Sequence, residues 1–329
     1  MDLRSCLQEA AKARTGALPI LSFPAAQKLD VSVYDLVRDA QLQAEAMSYI
    51  ANETSTLAGI SLMDLSLEAE VFGAEVKFSE NEVPAIVGQL VCCEEDADKL
   101  QIPSVDVGRI PVSLQAIRTA KQKIRNKPLL AGMIGPFSLA GRLMDVTQVL
   151  FLCRDEPDTV EIVLEKSAEF LIRYGNALKE AGADGIMMAE PLAGILSPRM
   201  AKKFSVPYVT QIVEALQDET FAVIYHNCGN TVPDMLDLIF SQNAAAYHFG
   251  NAVHMPKLLQ AAPPHIICMG NLDPVALFVD ATPQTMAKAV EELRAACMPY
   301  PNFILSSGCD IPYHADWSNI RAVFRAADK

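Results

Sequence analysis

In the run FAVIYHNCGN, residues 221–230, a histidine and a cysteine stand two apart at the end of an apolar segment, and a glycine follows. Side chains at i and i+2 of a β-strand point to one face, so His226 and Cys228 aim at a common point. An imidazole and a thiolate so directed suit zinc. They make half of a site, and the rest has to come from another strand end. The stretch SSGCDIP, 306–312, offers Cys309 far downstream, with Gly308 beside it as Gly229 is beside Cys228. Such glycines let backbone approach closely. Three protein ligands leave a fourth position open, the arrangement of catalytic rather than structural zinc. A thiol arriving there would be deprotonated, although its free pKa is about 8.5. Two thiolates already cancel the charge of the ion, so a third would stay electron-rich, and the chemistry expected is thiol alkylation. Two other readings compete with this one. The cysteines could be small buried hydrophobes at strand ends. Alternatively, His226 could be a general base beside a nucleophilic Cys228, which needs an orienting Asp or Asn and leaves Cys309 without a role.

Other polar residues stand near the same strand ends. Glu190, in MMAEP, is a candidate fourth ligand or proton acceptor for an incoming thiol, against a solvated loop carboxylate or a helix N-cap. Asp64 holds a comparable place after an earlier apolar run. Asp310 is expected either to cap backbone amides or to hydrogen-bond the second nitrogen of His226. Asn227 should point away from the metal and pack. Either His248 or His254 could face the metal, but each reads more readily as a core or loop histidine with a partner of its own. Cys92 and Cys93 make no ligand spacing with a histidine. GNLDP, 270–274, reads as a strand-end turn held by Asn271 or Asp273, and Trp317, the only tryptophan, falls in the last loop or helix.

The elements that must position these residues alternate along the chain. Eight short apolar runs read as strands: 18–23, 57–63, 128–134, 184–189, 221–226, 244–249, 265–270 and 302–307. Helix-period stretches separate most of them, among them 157–182, closing on a glycine, and 283–298. Strands alternating with helices imply parallel pairing, and eight such units imply a TIM (β/α)8 barrel with elaborated loops at its C-terminal face. A doubly wound open sheet is the main alternative, but no G-x-G-x-x-G follows the first run. Residues 64–127 are less regular and should hold a small β excursion, a helix and a substrate lid. No Gly/Ser/Pro linker divides the chain, so one domain over 1–329 is expected.

Composition narrows the function. Of 329 residues, 51% are hydrophobic and 20% charged, the balance of a globular enzyme. A net charge of −13 without a basic run makes nucleic acid and anionic membrane poor partners. The first twenty residues lack the apolar core of a secretory signal, and no apolar run reaches the roughly 20 residues of a bilayer span, so a cytoplasmic location is expected. Eight cysteines in such a chain do not form a disulfide framework.

HNCGN followed by SSGCDIP resembles the zinc signature of the methylcobamide:coenzyme M methyltransferases, a branch of the uroporphyrinogen decarboxylase superfamily. DLSLEAEVFGAEVKF (64–78), GPFSLAG (135–141), AGADGIMMAEPLAGILSP (181–198), FSVPY (204–208) and GNLDP agree with it, and the likeness runs from about residue 15 to about residue 325. The resemblance implies a TIM barrel with zinc held by His226, Cys228 and Cys309. It also implies a methyl group moving from the cobalt of a methylated corrinoid (methylcobamide) protein to a small thiol such as coenzyme M. The corrinoid would then be supplied by that partner, in keeping with the lack of a D-x-H-x-x-G motif here; a homodimer is left open. A metal-free carboxy-lyase of the uroporphyrinogen decarboxylase type is the alternative. It is disfavoured because ALPILSFPAAQ carries no arginine where the decarboxylases grip the carboxylates of their tetrapyrrole.

Overall fold

The computed structural model describes residues 2–328. Among the described residues nine strands form: β1 (Gly59–Ile60), β2 (Glu75–Lys77), β3 (Ala85–Val87), β4 (Leu129–Ile134), β5 (Gly185–Ala189), β6 (Ala222–Asn227), β7 (Ala246–Phe249), β8 (Ile267–Leu272) and β9 (Phe303–Ser307). Seven of them make one parallel sheet in the order β1-β4-β5-β6-β7-β8-β9, and β2 and β3 pair as an antiparallel hairpin in the irregular region. Helices fill the connections, the longest being Pro157–Glu180. Its C-terminus is closed by Gly182, whose φ of +104° suits a residue without a side chain. Among the described residues no helix is long and apolar enough to cross a membrane.

The expected eighth strand over 18–23 does not form. Ala17 makes isolated parallel bridges to Thr56 and to Leu305 in β9, so both edges of the curled sheet reach one residue. The ladder then stops for a local reason. Ala17 O accepts from Leu57 N, but the next donor toward that edge would be residue 19, and Pro19 has no N–H. The carbonyl of Leu57 is approached by Cys6 Sγ at 3.6 Å. On the other edge Leu18 N bonds Leu305 O, after which serine side chains replace backbone partners. Ser306 Oγ donates to Leu18 O at 2.6 Å, and Ile20 N donates to Ser307 Oγ at 3.0 Å.

Alternation along the strands sorts side chains into two cores. Leu18, Ile20, Ile60, Leu130, Met187, Ile224, Met269 and Ile304 pack inside the curl, where the helix Leu3–Ala13 adds Leu3 and Leu7. Residues of the opposite parity, such as Val223, Tyr225, Tyr247 and Phe249, face the surrounding helices. On β6 the inward set Ala222 and Ile224 continues to His226, which fixes where the histidine points.

Candidate metal centre

The candidate side chains sit at the C-terminal ends of β6, β7 and β9 and in the loops that follow. His226 is buried, whereas Cys228 and Cys309 are half-buried. The ligand atoms of these three residues lie within 4.8 Å of one another, the only such group of His, Cys, Asp or Glu among the described residues. Cys309 Sγ is 3.7 Å from His226 Nε2. In a tetrahedral zinc site with Zn–S of about 2.3 Å and Zn–N of about 2.0 Å, neighbouring donors stand about 3.5 Å apart, so this donor set fits zinc in both type and spacing.

The loop after β6 is seated by close backbone packing. A Cβ on Gly250 would stand 2.5 Å from the Cα of Cys228, and one on Gly308 would stand 2.6 Å from Asn251 N. Asn227, of the outward parity, donates to Tyr225 OH at 3.0 Å and accepts from Gly229 N at 2.9 Å, which holds the turn. A hydrogen bond from Cys309 lowers the Cys228 pKa to about 7, and the same bond, with burial, pushes Cys309 up to about 12. Charge at neutral pH is thereby concentrated on Cys228.

The second nitrogen of His226 has a different partner from the one expected. Asp310 accepts from Ser22 Oγ at 3.2 Å, and burial raises its carboxyl well above the usual range. The Nδ1 of His226 lies 2.8 Å from Nδ1 of His248, its register partner on β7, and Nε2 of His248 lies 2.6 Å from Ser306 Oγ. Burial and the facing His226 hold His248 well below the usual histidine range. His248 was open in the sequence to facing the metal, with the inward parity shared by 246 and 248 as its signal, whereas Ser306 does not stand out there.

The remaining candidates lie apart from the thiols. Glu190 caps the helix Pro136–Met144, accepting from Phe137 N at 3.2 Å and from Ser138 N at 2.7 Å, so the structure gives it the capping role and both its oxygens are engaged. Asp64 accepts from Ser66 and pairs with the buried Arg109, which also donates to Glu70 at 2.6 Å. His254 caps the helix Met255–Ala261. Asn271 donates to Gly250 O and Val253 O, and Asp273 accepts from Val275 N and Ala276 N, which makes GNLDP a loop clamp. Cys92 and Cys93 are exposed, and Trp317 donates to Pro24 O at 3.0 Å.

The chain matches the family model described as uroporphyrinogen decarboxylase (URO-D) over residues 15–329. The chain belongs to that family. Within it, the chain falls in the methylcobamide:coenzyme M methyltransferase-like branch. It is 30% identical over 297 residues to the methylcobamide:CoM methyltransferase MtbA of Methanosarcina mazei, covering 88% of this chain and 86% of that protein. A uroporphyrinogen decarboxylase of Psychromonas ingrahamii is 26% identical over 79% of this chain and 75% of its own length. A solved structure described as a methyltransferase from Methanosarcina mazei superposes with a TM-score of 0.89, covering 100% of this chain and 98% of that one, at 21% identity, a likeness of fold.

Proposed function

We propose that this protein is a zinc-dependent methyltransferase that moves a methyl group from a methylated corrinoid, carried by a partner protein, to a small thiol such as coenzyme M. The observation that carries the reading is the convergence of His226, Cys228 and Cys309 within 4.8 Å at the strand ends. Two relatives whose names state methyl transfer between methylcobamide and coenzyme M support it, at 30% and 28% identity against 26% for the decarboxylase.

His226, Cys228 and Cys309 would hold the metal. Zinc there would supply the positive charge that keeps an arriving acceptor thiol deprotonated at neutral pH. The chain's own groups prepare for this. Cys228 is already disposed to be a thiolate, and Cys309, held in its thiol form, would give up its proton on metal entry. Glycine packing around Cys228 and beside Cys309 keeps both sulfurs in place. On this reading residues 17–20 act as the eighth stave of a (β/α)8 barrel, and the chain works as one catalytic unit in the cytoplasm.

Elemental analysis of the purified wild type beside His226→Ala and Cys309→Ala tests the metal, and methylcobalamin offered with coenzyme M tests the transfer. About one zinc per chain, lost in both variants together with methylated product, is expected. A wild type that takes up no zinc under reducing conditions, or that leaves coenzyme M unmethylated when loaded, would sink the proposal.

A further inference from the structure

The hydrogen bonds behind His226 run in one direction. Ser306 Oγ lies 2.6 Å from Leu18 O, and a carbonyl oxygen can only accept, so the hydroxyl hydrogen is committed to Leu18. Toward His248 the Ser306 oxygen can therefore only accept, and the proton of His248 must sit on Nε2, 2.6 Å away. The Nδ1 of a neutral His248 then carries a lone pair. The contact of 2.8 Å between the two Nδ1 atoms needs one proton, and only His226 is left to provide it. His226 is thus protonated on Nδ1 and bears its lone pair on Nε2, the nitrogen that faces Cys309 Sγ at 3.7 Å. All three residues of the chain are buried, and among the described residues no carboxylate hydrogen-bonds to either ring.

We infer that His248 and Ser306 are positioning residues that fix the tautomer of His226 through a one-way chain anchored on the carbonyl of Leu18, so that Nε2 is a ready metal donor before any metal arrives. The inference rests on the zinc reading for its purpose but not for its existence, since the chain of donors is complete without an ion. A histidine held by a backbone-anchored partner presents a fixed ring plane and avoids the cost of shifting a proton on binding.

The test uses the full-length protein with 15N-labelled histidine. In the zinc-free wild type, long-range 1H–15N correlation spectra should show His226 in the Nδ1–H form and His248 in the Nε2–H form. The opposite form at His226 overturns the inference whether or not zinc binds. Zinc affinity, measured by competition with a chromophoric chelator, should fall about 10- to 100-fold in His248→Leu. It should stay within about threefold of wild type in His248→Asn, whose amide oxygen can take the Nδ1–H. Equal losses in the two variants would mean packing rather than proton placement and would overturn it, as would no loss in either. A wild type without zinc removes the proposed function, and the spectra then judge the tautomer chain alone.

Discussion

Glu190, which leaves the end of β5, closes on Ser138 at the start of the helix after β4. Its Oε1 accepts the Ser138 amide at 2.7 Å and the Ser138 hydroxyl at 3.0 Å. A carboxylate brought from a neighbouring strand thus satisfies amides at a helix start that lacks a cap of its own.

Removing that carboxyl should cost stability. Glu190→Ala leaves the buried amides of Phe137 and Ser138 without partners, and about 2 to 4 kcal/mol should be lost in urea unfolding. Gly135→Ala should be worse, because a Cβ there would stand 1.8 Å from Glu190 Oε2. An unchanged midpoint for either variant would contradict the capping geometry.

Arg109 holds the loop after β1. Its guanidinium reaches Asp64, Glu70 at 2.6 Å and Ser66 Oγ at 3.0 Å while stacked 5.0 Å from the Phe78 ring. Arg109→Met strands a buried Asp64 charge, so a loss of about 3 to 5 kcal/mol is expected. A double change with Asp64→Asn should recover part of it, and strict additivity in the double-mutant cycle would show that the two groups do not interact.

Glu68 is fully buried, accepts one amide from Ile134 at 3.0 Å and has no partner for its other oxygen. Burial raises its pKa from 4.5 to about 7. Below the lower value both folded and unfolded chains carry the proton; between the two only the folded chain does. Stability should therefore fall as pH rises from 4.5 to about 7, by about 1.4 kcal/mol per pH unit from this group. Glu68→Gln should flatten the pH profile across that window. An unaltered profile would mean that Glu68 ionises normally.

Cys228 should be the fastest-alkylated thiol of the zinc-free protein once Cys92 and Cys93 are replaced by serine. At pH 7 it is close to half ionised, while burial raises Cys153 and Cys297 to about 12. Cys309→Ala removes the hydrogen bond that stabilises the thiolate and should slow iodoacetamide labelling of Cys228, read by peptide mapping. Faster labelling in that variant would reverse the assigned order of the two thiols.

What could be read in advance follows the range of the physics involved. His226 and Cys228 were legible together because period-two alternation is local, and Cys309 because a cysteine at a strand end beside glycine marks a second approach to the same mouth. The partner of His226 was not legible. Asp310 is next to Cys309 in sequence, but His248 is next to His226 in space, through the β6–β7 register that pairs 226 with 248. The missing strand at 18–23 is a case of apolar composition outweighing a single Pro19, whose lost donor stops the ladder. Glu190 and Asp64 had the right strand-end positions, and only packing reveals that one serves a helix and the other an arginine.

The seam at residues 17–20 has a dynamic consequence. Elsewhere the parallel sheet is stitched by ladders of backbone bonds, whereas here it is fastened by isolated bridges, two amide bonds and two serine contacts. Local opening takes the course of least cooperative protection, so the amides of Leu18 and Ile20 should exchange with deuterium before those of β5 and β6. The carbonyl of Leu18 also accepts from the Ser306 hydroxyl, so an opening of the seam frees the serine that contacts His248 to reorient. Mobility at this point of the sheet is thereby linked to the histidine pair at the candidate metal site.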